Sequence, residues 1–428
     1  MRRTVRSPLF LMALTVFIDF AGFGLVIPLL PFWAERLGAN SVGVGMVLTA
    51  YALAQFLCTP LLGTLSDRYG RRPVILLSLL IEALAFAFTA LAGSLPVLLV
   101  ARFVGGVGAS NIGSAQAVVA DVTPPEGRAR GMGLIGAAIG LGFVVGPAVG
   151  GALAPLGETV PFWVAMGVAL VNALLVLAFL PETRQRRAAP AVNAPASPAG
   201  AGMLAGWRRT LRHPAVTRLV AINLLFTVAF TAMETVFPLF SQEAFGWTAE
   251  QNGYIFTYVG VVIVIMQGGL VGQLVKRWGE HALLIAGLVM LAAGLALLPL
   301  STHLALLLVA LGILSAGDGA ATPSASALLS FASPPGAQGE TQGLAQGVGG
   351  LGRVIGPLVA GALFTLGAGA PFIAGALLML LAGLVALPAL PGPQQKDAAG
   401  ARSLPDAASE AARNHREVSP RAQEAPGR

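Results

Sequence analysis

The sequence predicts an all-α membrane protein in which twelve transmembrane helices form two pseudo-symmetric halves of six helices each. Three observations support this prediction. The 428 residues are 56% hydrophobic and only 11% charged, whereas soluble globular proteins carry about 25% charged residues. The apolar residues form runs long enough to cross a bilayer, and one such run recurs in the second half of the chain.

The repeated run is apolar but rich in glycine and carries a proline. Residues 133–153 and 343–363 are identical at 12 of 21 positions, at a constant offset of 210. Because this offset is about half the chain length, we interpret the sequence as two copies of one unit. Membrane helices tolerate such residues, since small side chains let helix backbones approach closely.

About 20 apolar residues cross the hydrocarbon core, and this criterion predicts twelve spans. Numbered in chain order, spans 1 to 12 cover 9–32, 43–65, 73–92, 95–119, 131–153, 161–180, 215–240, 252–275, 281–300, 302–329, 343–366 and 371–391. We therefore predict four regions, namely an N-terminal half at 1–180, a cytoplasmic linker at 181–214, a C-terminal half at 215–391 and a disordered cytoplasmic tail at 392–428.

The Lys and Arg residues predict the orientation in the membrane. If the N-terminus is cytoplasmic, 23 of the 26 basic residues lie in cytoplasmic segments, Arg36 lies in an outer loop, and Arg102 and Arg353 lie within spans. We expect a multi-pass protein of the inner (plasma) membrane with both termini in the cytoplasm. The net charge of +7 follows from this topology and does not indicate a nucleic-acid partner.

The sequence lacks the residues that several other classes of protein function require. Cys58 is the single cysteine and the four histidines do not cluster, so neither a metal site nor a catalytic constellation is indicated. No phosphate-binding glycine loop with a lysine is present, so ATP driving is unsupported. A passive channel is disfavoured by the two-half repeat. We expect no cofactor, a proton gradient as the energy source and a monomer.

Four motifs occur in order along the N-terminal half. The hairpin between spans 2 and 3 contains Gly63, Asp67, Arg68, Gly70, Arg71 and Arg72. Span 4 contains Arg102-Phe-Val-Gly105-Gly106-Val-Gly108, and span 1 contains Asp19-Phe-Ala-Gly-Phe-Gly-Leu-Val-Ile-Pro28. The span 5 stretch includes Gly133, Gly142, Gly146, Pro147, Gly150 and Gly151.

Together these motifs resemble those of the major facilitator superfamily, and among its members the twelve-span drug/proton antiporters of the tetracycline-efflux type. The resemblance covers residues 9–391 and implies the major facilitator fold. There are two departures. The second-half copy of the hairpin motif, 272–279, lacks the aspartate, and the span 3 acid of the tetracycline pumps lies about one turn after Glu82, where this chain has Ala85.

Apart from Arg218 at the cytoplasmic end of span 7, six charged residues lie at bilayer depth in the predicted spans, where a charge is costly and therefore a functional hypothesis. They are Asp19, Glu82, Arg102, Glu234, Asp318 and Arg353. Counting residues from the span ends places these charges in three pairs of similar depth in the membrane. The pairs are Asp19 with Glu82, Asp318 with Arg353, and Arg102 with Glu234.

Asp19 is the first candidate for the proton carrier, because a desolvated carboxyl group can bind and release protons in the physiological range. Alternatively, it is a buried acid satisfied by a hydroxyl such as that of Thr15. Glu82 is a further proton-coupling candidate, and Glu234 is a candidate proton or cationic-substrate site. Asp318 is also a candidate, although it could form a structural ion pair with Arg353. By resemblance, Arg102 faces the cavity and modulates a nearby acid.

The resemblance also implies that Asp67 binds the N-terminal end of span 11 and latches the two halves together in the outward-facing state. The alternative is an ordinary helix-end charge. Gly146 and Pro147 either only pack span 5 against span 8 or form a seam on which the halves rock. Asn223 and Thr227 belong to a polar stripe on span 7 that could line the cavity.

Two functions remain open. The first is a proton-coupled exporter of amphipathic drugs that works by alternating access around a midplane site. The alternative is a proton-coupled importer of a small metabolite such as a sugar, which the polar stripe of span 7 would suit.

Overall fold

The computed structural model describes residues 8–124, 127–183, 210–334 and 338–390, and in these ranges all regular structure is helical. Ten helices there are long and apolar enough to cross a membrane. One of them, Ala249–Leu300, is 52 residues long and breaks at Gly279, so it crosses twice. The shorter apolar helix Ala370–Ala386 brings the total to twelve spans, as the hydropathy predicts.

The helices of the N-terminal half (spans 1 to 6) are Pro8–Val26, Ser41–Tyr69, Arg71–Ala90, Leu95–Val122, Arg128–Leu153 and Val160–Phe179. The C-terminal half (spans 7 to 12) begins with Pro214–Phe245. Ala249–Ile265 continues through a π-helical turn, Met266–Leu270, into Val271–Leu297, which holds the end of span 8 and all of span 9. Leu304–Ala332, Gln338–Phe364 and Ala370–Ala386 complete the chain. The predicted linker at 184–209 and the tail after 390 lie outside the described residues, so those two predictions remain untested.

Span 1 is shorter than the predicted run 9–32. The helix ends at Val26, and a turn over 27–29 leads into a separate short helix, Leu30–Arg36. Pro28 explains the break, because its ring removes a backbone donor and disfavours a helical residue before it. Hydropathy alone could not locate this end, since the turn is as apolar as the helix.

Each half is a bundle whose internal contacts follow the repeat. Span 1 packs on spans 5 and 6, and its counterpart, span 7, packs on spans 11 and 12. The halves meet along two seams, in which span 2 packs on span 11 and span 8 packs on span 5. The glycine-rich repeat therefore supplies one helix to each seam.

Backbone lies directly on backbone where the seams are tightest. A Cβ atom at Gly253 would come within 2.6 Å of the Pro147 carbonyl oxygen, and one at Gly45 would overlap the carbonyl of Pro357. Two hydroxyl groups also cross the seam between spans 2 and 11, since Ser41 donates to the carbonyl of Gly361 and Thr49 to that of Val354. Only glycine allows so close an approach.

These contacts all lie toward one face of the bundle. Because the spans alternate in direction, the basic hairpins of the sequence share one face, here called the basic face, and the opposite face is called the outer face. At the basic end of the seams, Gly63, Gly136, Gly268 and Gly272 have no contacting atom of the described residues within 4 Å of a Cβ position. The space between the halves therefore opens toward the basic face.

Candidate functional site

The carboxyl groups of Asp19 and Glu82 lie close together in the N-terminal half, and Oδ1 of Asp19 and Oε2 of Glu82 are buried with no hydrogen-bond partner among the described residues. Asp19 comes from span 1 and Glu82 from span 3, where it is only 3% exposed. The side chain of Asn111, in a 3-10 turn of span 4, also reaches Asp19. The Thr15 hydroxyl, which was an alternative partner for Asp19, forms no hydrogen bond within the described residues.

The glycines of span 4 make this meeting possible. A Cβ atom at Gly108 would lie 2.7 Å from the backbone nitrogen of Glu82, and one at Gly106 would overlap the carbonyl oxygen of Tyr51. Spans 2 and 3 therefore approach span 4 along its glycine face. This approach explains why the Arg102-to-Gly108 motif combines a charged residue with three glycines.

Arg102 is buried, with 2% of its surface exposed. Its guanidinium carbon lies 4.5 Å from the centre of the Tyr51 ring, which is a cation–π contact. It also interacts electrostatically with Glu82. A positive charge thus lies beside the two carboxyl groups and offsets part of the cost of burying them.

Tyr51 connects this cluster to the rest of the central space. Its ring stacks on Phe23 with 5.1 Å between centroids, and Phe23 in turn packs edge-on against Phe143 at 6.1 Å. Tyr51 also lies close to Arg353 of span 11, on the other half. Sequence reasoning missed Tyr51 and Asn111, because neither carries a formal charge. The position of Asn111 one turn after Gly108 of the span 4 motif was an available signal, whereas Tyr51, twelve residues before Gly63, lies near no motif.

In the C-terminal half the electrostatic partner of Arg353 is Glu234 of span 7. Asp318 instead accepts a hydrogen bond from Thr322, one turn away on its own helix, at 2.6 Å. The expected ion pair between Asp318 and Arg353 is wrong, since no ion pair joins them in the described part of the chain. Residue counting measures depth but not the direction in which a side chain points.

A cavity of about 150 Å³ lies between spans 7, 9, 10 and 11. Its walls include Asn223 and Thr227 from the predicted polar stripe, and Arg353 at its inner end. The amide of Asn223 donates to the carbonyl of Ala345, and the hydroxyls of Thr227 and Thr231 donate to carbonyls one turn back on span 7. Most of the hydrogen-bonding capacity of this stripe is therefore used within the half.

The hairpin motif lies at the basic face. Asp67 pairs with Arg71 at 2.6 Å, and Arg71 also contacts Asp121 at 3.2 Å. The Glu182 carboxylate accepts hydrogen bonds from the backbone N–H groups of Arg71 and Arg72, where span 3 begins. Gly70 has a positive φ of 110°, and so does Gly279 (79°) at the corresponding point of the second half. The latch on span 11 stays a prediction.

The span 5 motif packs against two neighbouring helices, spans 1 and 8. The positions of Gly142, Gly146 and Gly150 face the backbone of span 1, whereas Pro147 and Gly151 meet Gly253 of span 8. A Cβ atom at Gly133 would contact none of the described residues within 4 Å. The motif therefore packs span 5 within its own half as well as across the seam.

A different contact links the halves near the outer face. The Gln242 side chain of span 7 hydrogen-bonds the Glu35 carboxylate, although burial, the larger effect, raises the pKa of Glu35 above its usual value. An ion pair between Arg36 and Glu158 lies nearby, beside a second cavity of about 490 Å³.

A twice-repeated bundle of apolar helices, with charged groups in the space between its halves, defines a multi-pass membrane transporter. The chain belongs to the Major Facilitator Superfamily, whose family model matches residues 12–284 and 268–420. The relatives and the fold are those of transporters, not of enzymes.

Curated relatives cover most of the chain. A class C tetracycline resistance protein from Escherichia coli is 33% identical over 383 residues, which are 88% of this chain and 94% of the relative. Multidrug resistance protein 2 of Bacillus subtilis is 31% identical over 377 residues, 86% of this chain and 91% of the relative. The resemblance to tetracycline-efflux proteins is thereby confirmed.

Solved structures agree with the fold. The human organic anion transporter MFSD10 (TETRAN) is 28% identical, with a TM-score of 0.69 over 89% of this chain and 99% of that one. A bacterial homolog of the human lysosomal transporter Spinster, inward-facing and occupied, has a TM-score of 0.71 over 88% of this chain and 95% of that one at 15% identity. At that identity the likeness supports the fold alone.

Proposed function

We propose that this transporter exports amphipathic drugs or similar small molecules in exchange for protons, by alternating access between two rocking halves. The observation that carries the proposal is the proximity of the Asp19 and Glu82 carboxyl groups, beside Arg102, inside the N-terminal half. An acid pair buried there can hold a proton while the cavity is empty and release it when substrate enters. The names of the relatives support drugs as the substrate class.

The proposed setting is the inner (plasma) membrane, with both termini and the basic face in the cytoplasm and the protein as a monomer. In that orientation the cavity opens toward the cytoplasm, from which an exporter loads its substrate. The proposed role of Asp67 is to hold the basic ends of the halves together in the opposite state. Its exposure and its pairing with Arg71 fit a structure in which that latch is released.

Import of a polar metabolite is the second candidate. The span 7 stripe suggests it, but the hydroxyls of Thr227, Thr231 and Thr235 each donate to a carbonyl of their own helix. Because these hydroxyl groups already donate within the helix, fewer hydrogen-bond donors remain to bind a sugar, and we favour export.

The test is substrate-triggered proton movement in inverted vesicles that hold an imposed pH gradient. Tetracycline and other amphipathic drugs should dissipate the gradient in vesicles with the unmodified protein and fail to do so with Asp19→Asn. Glu250→Gln, an acid at the outer mouth, serves as the matched control and should keep the response. Absence of a response to a broad drug panel would contradict drug export. A response that persists in Asp19→Asn would mean that another acid, such as Glu234 or Asp318, carries the proton.

A further inference from the structure

The cavity of the C-terminal half has an unusual set of hydrogen-bonding groups. Apolar residues of spans 7 and 9, including Leu219, Phe226 and Leu288, form one side of it. The other side carries Ser326 of span 10 and Gln342, Gln346 and Arg353 of span 11. These residues recur at helical spacing, so they present one polar face to the cavity.

Four of the polar groups have no hydrogen-bond partner among the described residues, although Arg353 interacts electrostatically with Glu234. Asn223, Thr227 and Thr322 each donate a hydrogen bond at 2.8 Å or less to an acceptor on span 7, 10 or 11. Ser326, Gln342, Gln346 and Arg353 make no hydrogen bond to any part of the chain that the structure describes. Ser326, Gln346 and Arg353 are exposed and Gln342 is partly buried, so these groups are accessible to a ligand as well as to water. Here the open direction is the cavity.

The repeat shows that packing does not require this face. At the offset of 210, Gln342 corresponds to Met132, Gln346 to Gly136 and Arg353 to Phe143. Span 5 therefore has the same seam glycines as span 11 but no polar side chain at these three positions. The polar face belongs to one copy only, as expected for a binding feature rather than a structural one.

We infer that this cavity is a subsite for the oxygen-rich, hydrogen-bond-accepting end of the transported molecule, an inference that rests on the proposed function. Its lining offers two amides, a hydroxyl and, as its one charged side chain, the Arg353 guanidinium. These donors suit carbonyl, enolate or carboxylate oxygens. A lipophilic cation without acceptor oxygens gains nothing from them.

The size of the cavity limits it to one end of a ligand. A volume of about 150 Å³ is below the roughly 300–1,000 Å³ of sites that enclose a drug-sized molecule. Arg353 lies where the cavity meets Tyr51 of the other half. The remainder of the molecule then lies against Phe23 and Phe143, which pack beside Tyr51.

Equilibrium binding to the purified full-length protein tests the inference without depending on transport. The probes are tetracycline, with oxygen acceptors along one edge, and tetraphenylphosphonium, a cation with none. The variant is Gln342→Met combined with Gln346→Met, which keeps side-chain length and places at 342 the residue found at 132. The control is Gln338→Met, which changes the same side chain on the same helix outside the cavity lining.

The double variant should weaken tetracycline binding about tenfold, because two hydrogen bonds to the ligand are lost. Tetraphenylphosphonium binding should change by less than about twofold, and Gln338→Met should bind both probes as the unmodified protein does. Ser326→Ala should reproduce a smaller selective loss. Unchanged tetracycline binding, or an equal loss for both probes, would overturn the subsite. Selective loss of binding in a protein that moves no protons would keep the subsite and contradict the proposed antiport.

Discussion

Two carboxylates in contact repel each other, and a proton held between them turns the repulsion into a hydrogen bond. Asp19 and Glu82 form such a contact, with Arg102 beside them and Asn111 against Asp19. The two acids should therefore act as one proton-binding unit rather than as two independent sites. Arg102 is 2% exposed and stacks on Tyr51, so it is held as a fixed positive charge next to that unit.

A double-mutant cycle distinguishes a shared site from two separate ones. We expect Asp19→Asn and Glu82→Gln each to lower drug-coupled proton movement at least about tenfold, and the combination to lower it no further, because residues that act as a unit are non-additive. The measurement is the initial rate of gradient dissipation in inverted vesicles, corrected for protein amount. If the two losses multiply, the acids work independently.

Some contacts between individual residues could be predicted from the sequence, and others could not. Equal depth in the membrane correctly suggested that Asp19 and Glu82 lie close together. The same criterion also suggested an ion pair between Asp318 and Arg353, whereas the partner of Arg353 is Glu234. Depth follows from the constant rise of a helix, whereas the direction of a side chain depends on how neighbouring helices are rotated. Tyr51 could not be found by charge or motif, although it lies between Arg102 of its own half and Arg353 of the other.

Helices meet across the halves through glycine backbone, mainly near the outer face. Span 8 touches span 5 where Gly253 lies on Pro147 and Gly151, and span 2 touches span 11 where Gly45 lies on Pro357. Hydropathy and the 210-residue offset predicted the twelve helices and their two-fold relation, because both depend on composition over long stretches. The break after Val26 and the π-helical turn at 266–270 depend on single residues and escaped prediction.

A methyl group added at the seam between spans 5 and 8 should weaken the contact between spans 2 and 11. Gly253→Ala places a carbon within 2.6 Å of the Pro147 carbonyl oxygen, and such overlap costs about 1–3 kcal/mol. Separation of the outer ends would release Thr49 from Val354 on the opposite seam. We expect a Thr49→Cys thiol, in a Cys58→Ala background, to react about tenfold faster with a maleimide in detergent solution.

Gly272→Ala is the matched control, since it lies on the continuation of the same helix with nothing within 4 Å of its Cβ position. It should leave the labelling rate unchanged. Equal rates for Gly253→Ala and the unmodified background would mean that the seams do not open together.

At the level of the complete transporter, the basic residues and the open side of the central space fall on the same face. The proposed cytoplasmic position of this face can be tested with two single cysteines in a Cys58→Ala background. Gly93→Cys lies in an exposed outer-face loop, and Trp278→Cys lies in an exposed hairpin at the basic face.

A membrane-impermeant maleimide should label Gly93→Cys in intact cells and Trp278→Cys only in inverted vesicles. Detergent-solubilised samples, in which both thiols should react, control for reactivity. The opposite pattern would reverse the orientation and, with it, the side from which substrate enters.

The charged groups near Tyr51 and Arg353 also have an electrical consequence. Fully ionised, Asp19, Glu82 and Glu234 carry three negative charges, and Arg102 and Arg353 carry two positive ones. The cluster then lacks one positive charge, which either a single proton or a singly charged organic cation can supply. Under the proposed exchange, swapping one for the other moves no net charge, whereas exporting a neutral or zwitterionic molecule against a proton carries current. Membrane voltage should therefore drive the export of neutral substrates and leave that of monovalent cations untouched.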